Sequence, residues 1–241
     1  MHDSLPSDRE QLERTIAYHL HEVLRALGCA CTDPGMVHTP QRVARMLVRE
    51  SCAGLLTPPP QLTTFPKPPG VQGPVHVTGI TIRSICEHHL LPMVGQATIS
   101  YVPKEEVLGL SKLNRLAHWW AARPQLQERL TQQIHDTLQD ALNLDSLAVS
   151  LHLEHACVTH RGARDSTSCT WTHQLTGAFT QESWLREAHF LACKAPPHSC
   201  GEPLDEALPQ PPLGSCAPQT PRKMKDEHHT DCPQEHPVLS V

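Results

Sequence analysis

Two short stretches, Cys86-Glu87-His88-His89 and His155-Ala156-Cys157, stand about seventy residues apart in the chain. Any fold this sequence adopts is constrained most by whether it returns the second to the first. Cys86 and His89 are three residues apart, close enough to grip one ion from a single turn. Cys157 supplies a third soft ligand if the backbone brings it back. Two thiolates and one imidazole give a tetrahedral Zn²⁺ with one position left open, the arrangement of catalytic rather than structural zinc. His88 and His155 would then lie beside the metal, free to move protons. A Cys-x-x-His pair is weak by itself in a chain with 10 Cys and 18 His, so the rest of the sequence has to carry the reading.

The remaining cysteines are irregularly spaced, and Met1-His2-Asp3-Ser4 lacks the basic and apolar regions of an export signal. We therefore expect reduced thiols and a cytoplasmic protein. The net charge of −5 argues against a nucleic-acid partner. No apolar run reaches the ~20 residues of a membrane span.

Periodicity divides the chain of 241 residues into four parts: an N-terminal helical region over 1–52, a proline-rich connector over 53–74, a catalytic domain over 75–193 and a tail over 194–241. In the first, Ser7-Asp8-Arg9-Glu10 reads as a capping box. Leu12, Ile16, Leu20, Val23, Leu24 and Leu27 then recur at helical spacing until Gly28. Thr39 and Pro40 predict the N-cap and first residue of a second helix bearing Val43, Met46 and Leu47. Seven prolines in 53–74 predict an extended connector without regular structure.

From Val75 the period becomes two. Val75, Val77, Ile80 and Ile82 mark one strand, and Val94 to Val102 a second. Ser111 is expected to cap a helix with Leu113, Leu116 and Trp120, which Pro124 ends. Leu126, Leu130, Ile134, Leu138 and Leu142 mark a longer helix. Leu147, Val149, Leu151 and Leu153 predict a third strand, Thr167 to Leu175 a fourth, and 181–193 a closing helix. The expected fold is α+β: an antiparallel four-stranded sheet with a helix pair in the order ββααββ, its helices backing one face. The third and fourth strands carry no proline or lysine to blunt an edge, which favours pairing between subunits. Beyond 194 the chain is rich in Pro, Cys, His and charge without apolar periodicity, and disorder is expected.

Charged residues suggest what the site binds. Lys112 and Arg115 fall in the first turn of a helix, where the dipole disfavours them unless an anion docks there. Arg42 and Arg45 share one face of the second helix, and Arg161 and Arg164 follow Cys157 closely. Each alone reads as a solvated charge; together around a metal site they suggest a polyphosphate. Glu128 opens the long helix, where the dipole alone would favour a carboxylate. It could also accept two hydrogen bonds from adjacent N–H donors, as on a guanine edge.

These residues resemble those of a known family. Ser84-Ile85-Cys86-Glu87-His88-His89, Gly109-Leu110-Ser111-Lys112, Arg123-Pro124-Gln125-Leu126-Gln127-Glu128-Arg129-Leu130-Thr131 and Cys157-Val158-Thr159-His160-Arg161-Gly162 are similar to signatures of GTP cyclohydrolase I of the bacterial type. Thr39-Pro40-Gln41-Arg42-Val43-Ala44-Arg45-Met46 resembles its N-terminal helix, and the likeness runs over roughly 7–193. The resemblance implies the tunnelling fold, with subunits joined into a toroidal homo-oligomer, a decamer of two stacked pentamers. It implies GTP as substrate, zinc on Cys86, His89 and Cys157, and proton transfer by His88, His155 and Ser111. Gln127 and Glu128 would bind guanine, and Arg42, Arg45, Lys112, Arg115 and Arg161 the triphosphate. The implied reaction is hydrolysis at C8, giving formate and 7,8-dihydroneopterin triphosphate for pterin and folate synthesis. Arg45 departs from a lysine frequent there, and Cys169 and Trp171 from a stretch usually rich in Thr and Ser. Two rival readings stand beside this one: a non-catalytic homologue that binds zinc or nucleotide, and another enzyme of the same fold such as a nitrile reductase.

Overall fold

A computed structural model of the chain describes residues 9–194; the expected cap at Ser7 and the tail from 195 onward lie outside the described residues. Helix α1 spans Arg9–Ala26. Gly28 ends it with φ +78, its N–H reaching Arg25 O at 3.0 Å, a left-handed closure that glycine adopts without penalty. Helix α2 spans Thr39–Met46 and its N-cap is His38, one residue earlier than expected. Thr39 instead accepts a hydrogen bond from Arg42 at 3.1 Å. The chain continues through a π-helical turn, Leu47–Ser51, tied to α1 by the Arg49–Glu13 ion pair at 2.6 Å.

The connector is not without regular structure. β1, Thr64–Pro66, pairs antiparallel with β4, Glu106–Leu108, as a separate two-stranded sheet. A proline is tolerated in a ribbon this short because it forfeits only one N–H at an edge.

The main sheet has five strands rather than four, in the order β5-β2-β3-β6-β7. β2 is Val75–Cys86, β3 Pro92–Tyr101, β6 Leu147–His155 and β7 Thr170–Leu175; all pair antiparallel. The addition is β5, Pro124–Gln125, parallel to the end of β2. A register shift between Val77 and Ile80 explains why the apolar positions of β2 change from odd to even numbers: a bulge inserts one residue and turns the following side chains to the other face.

Helices α3, Leu110–Ala121, and α4, Gln127–Leu142, cover one face. Their Leu113, Leu116, Leu130, Ile134 and Leu138 are fully buried among Ile80, Ile82, Ala97, Ile99, Val149 and Leu151. Each contributes about 1.5–3 kcal/mol by leaving water. Gly109 is the N-cap of α3, and Ser111 is an exposed residue of its first turn rather than the cap. The other face is covered too, by α6, Ala178–Gln181, and α7, Ser183–Cys193, with Phe179 and Leu185 packed on Ala148. The expectation of helices on one face therefore fails: Ala148 and Ser150 alternate with the leucines of β6 and are also buried. Only one of the two strands expected to be an unprotected edge is one. β6 lies between β3 and β7, leaving β7 and most of β2 as edges.

Candidate active site

The end of the sheet where β2 finishes and β3 begins gathers the chemistry. Cys86 closes β2, and a tight turn follows: Cys86 N–H donates to Leu91 O and Leu90 N–H to Cys86 O, both at 2.8 Å. Leu90 adopts φ +56, a left-handed conformation that costs an ordinary side chain roughly 1–2 kcal/mol. The turn sets His89 back beside Cys86. On the neighbouring strand His155 pairs with Met93, so β6 ends level with this turn. The single-turn helix α5, Ala156–Thr159, then delivers Cys157. One donor atom each from Cys86, His89 and Cys157 lies within 4.8 Å of the others.

A tetrahedral zinc with Zn–S near ~2.3 Å holds its two sulfurs ~3.8 Å apart, so the donors need to close by at most about an ångström. The cysteines are free thiols. Burial, and next the neighbouring Cys86, push the Cys157 thiol above its ordinary pKa, while Arg161 works the other way. Arg161 also donates to Nε2 of His89 at 2.7 Å, so that imidazole already presents a lone pair to a positive group. Two sulfurs and one imidazole fit a borderline-soft divalent ion with a fourth position open.

His88 is exposed, its Nδ1 3.9 Å from Cys86 Sγ. His155 is half-buried; burial lowers its pKa and the nearby charge of Glu128 opposes that. Glu128 is exposed at the start of α4. Gln127 beside it behaves differently: its side chain is buried and bonded to Leu151, Thr170, Thr172 and His155. The amide expected to grip a base is thus committed within the chain.

Sequence reasoning missed the clamp that brings α4 to this end. Glu87 N–H donates to Gln125 O at 3.1 Å, the Glu87 carboxylate pairs with Arg129, and Arg129 Nε donates to Gln125 Oε1 at 3.2 Å. Glu87 and Arg129 sit inside the quoted motifs, but charges read alone look solvated.

Three other expected site residues are not brought here. Ser111, Lys112 and Arg115 lie in the first turns of α3, next to Leu108, whose N–H reaches the hydroxyl of Tyr101. Tyr101 ends β3, eight residues from Met93, or about 26 Å at strand rise. It is the other end of α3 that approaches the metal-binding group, through Ser84 Oγ donating to Ala121 O at 2.7 Å. Arg42 turns to Gly35 O at 2.8 Å. Arg45 lines a groove between α1 and α2 with Glu10, Glu13 and Gln41.

Fold and donor set together define an α+β protein with an open-sided Cys–His–Cys group at one end of its sheet. The family model described as GTP cyclohydrolase I matches residues 16–194, and the chain belongs to that family. It is 43% identical to the GTP cyclohydrolase 1 of Enterobacter sp. (strain 638) and 42% to that of Citrobacter koseri, over 188 residues in each case, 78% of this chain and 85% of the relative. The protein of that name from Salmonella arizonae is 41% identical over 191 residues, 79% of this chain and 86% of its own. Among solved structures, an apo archaeosine synthase QueF-like chain aligns with 46% of this chain and 97% of its own at 14% identity and a TM-score of 0.35, a likeness that carries no argument.

Proposed function

We propose that the chain hydrolyses GTP to formate and 7,8-dihydroneopterin triphosphate in the cytoplasm, using zinc held by Cys86, His89 and Cys157. The observation that carries this is the convergence of those three donors within 4.8 Å in a member of the GTP cyclohydrolase I family. Zinc in such a set supplies Lewis acidity that activates a water near neutral pH.

The chain's own residues do the rest. Glu128, exposed beside the group, accepts from N1–H and the exocyclic amine of guanine. In its doubly protonated form His155 gives a proton to N7, making C8 electrophilic, and His88 serves later proton transfers. Arg161 meets the triphosphate. The phosphates are not cleaved, so basic residues position them and contribute through proximity.

Lys112, Arg115 and Ser111, the last beside the ribose, lie toward the far end of α3 within one chain, so we assign them to the site of a neighbouring subunit. Arg42 and Arg45 complete the phosphate contacts when a ligand draws Arg42 from Gly35 and Arg45 out of its groove. This reading accords with the tunnelling fold and a toroidal decamer, joined through the open edges of β2 and β7.

Incubation with GTP should release formate and a pterin that fluoresces after oxidation. About one zinc per subunit is expected, with Cys86→Ala losing both metal and activity. Full zinc occupancy in that variant would remove Cys86 from the ligand set.

A further inference from the structure

Gln127 is 1% exposed, and its amide can sit only one way round. Nε2 lies 3.2 Å from Leu151 O, 2.9 Å from Thr170 O and 3.0 Å from Thr172 Oγ1. Two of these partners are backbone carbonyls, which only accept. Flipping the amide would set oxygen against oxygen twice in a site closed to water. The hydroxyls agree. Thr131 Oγ1 donates to Gln127 O at 2.9 Å, so in the 2.7 Å contact between Thr131 and Thr172 it is Thr172 that donates. Thr172 Oγ1 is then left to accept from Gln127.

With Nε2 of the amide fixed as donor, Oε1 is fixed as acceptor. It faces Nε2 of His155 at 2.7 Å, and that ring nitrogen must therefore carry a proton. The neutral imidazole is the Nε2–H tautomer, with its lone pair on Nδ1. Among the described residues Nδ1 has no hydrogen-bond partner. A ring held through one nitrogen by a buried, fully bonded amide has its plane and its tautomer set together, and the other nitrogen alone is left to exchange protons with a ligand.

We propose that Gln127 is a positioning residue: it locks His155 as the Nε2–H tautomer and so assigns proton transfer to Nδ1, rather than contacting the guanine itself. The inference rests on the reading of His155 as a proton-transfer group. It makes Leu151, Thr170 and Thr172, on β6 and β7, the support of a side chain that acts from the end of β6.

A double-mutant cycle tests it. Gln127→Met keeps the volume and removes every hydrogen bond of the side chain. In the otherwise wild-type protein it should lower kcat roughly ten- to a hundredfold, with KM for GTP altered less than about threefold and zinc content unchanged. In a His155→Ala background, where there is no ring to orient, the same change should cost less than about twofold. Thr172→Val loosens the amide without touching Gln127 and should show the same pattern at roughly two- to fivefold, which keeps the test available if Gln127→Met does not fold. A rise in KM at unchanged kcat would make Gln127 a ligand of the base and overturn the proposal. So would an equal loss of kcat in both backgrounds, the mark of a merely structural role. A His155→Ala enzyme as fast as wild type would overturn the proposal too, but through the role of His155, and so is distinguishable from both.

Discussion

Gln127 and Glu128 are neighbours with opposite fates, and the reason is helical geometry. Consecutive residues point about 100° apart on a helix, so the first turn of α4 can aim one side chain at the sheet and the next at solvent. Gln127 faces inward and is fully bonded; Glu128 remains exposed. Glu128→Gln should therefore leave the fold and the zinc content untouched while weakening GTP hydrolysis. An amide cannot accept from both guanine donors, and an unmatched donor costs about 1–3 kcal/mol, about five- to a hundred-and-fiftyfold in kcat/KM. Steady-state kinetics with GTP check this; unchanged kcat/KM would remove Glu128 from the site.

The strands are held to one another more closely than their periodicity suggests. Gly95 on β3 pairs with Leu153 on β6, and a Cβ added there would lie 2.0 Å from His152 O and 2.9 Å from Leu153 Cα. Neither backbone atom can swing away as a side chain would. Gly95→Ala should lower stability by the order of 1–3 kcal/mol, read as a shift in the urea midpoint. On the α7 face the cement is polar. Ser100 Oγ lies 2.7 Å from Nδ1 of both His76 and His189. Ser150 Oγ lies 2.7 Å from His173 Nδ1 and His189 Nε2. These contacts join β2, β3, β6 and β7 through one buried ring on α7. Each bond needs one proton. With His189 neutral, it and the two hydroxyls supply three; one outer histidine must donate the fourth and the other must accept. With His189 protonated, both outer rings must accept. The network thus keeps every bond only while at most one of the three rings is charged.

For the molecule as a whole that network sets an acid limit. Burial, with the nearby rings of His76 and His173 adding to it, lowers the His189 pKa to about 4; burial lowers those of His76 and His173 as well. Cys193 Sγ, 3.7 Å from His189 Nε2, carries no charge to offset a protonated ring, since burial pushes its pKa up. An unfolded histidine takes its proton near pH 6.5, the folded one only near pH 4. Stability is therefore full above about pH 6.5 and falls as pH drops toward 4, by roughly 3 kcal/mol for His189. Urea midpoints at pH 8, 6 and 5 should decline, and less steeply in His189→Gln, a comparison that separates this effect from acid loss of the metal. The second whole-molecule consequence follows from the distance between the two ends of the sheet. If subunits share sites, Cys86→Ala and Lys112→Ala, each inactive alone, should regain part of the activity when co-expressed, because some sites then draw both intact halves. No recovery in mixed oligomers would place the complete site within one chain. Light scattering should show a large assembly, and an active monomer at micromolar concentration would overturn it.

The Cys86, His89 and Cys157 set, the long α4 and the alternating core of β6 were legible in the residue order because each rests on a local rule: ligand spacing, a 3.6-residue period, a two-residue period. The motifs themselves carried the resemblance to the family. Local rules say nothing about what arrives from elsewhere in the chain. The pairing of β1 with β4, the two-residue β5 and the burial of Ala148 and Ser150 under α6 and α7 depend on partners distant in sequence. So does the commitment of Gln127 to Thr170 and Thr172, more than forty positions away. The caps at His38 and Gly109 also depart from the hydroxyl residues that local preference favours. Tertiary contact alone commits the Gln127 amide to Leu151, Thr170, Thr172 and His155.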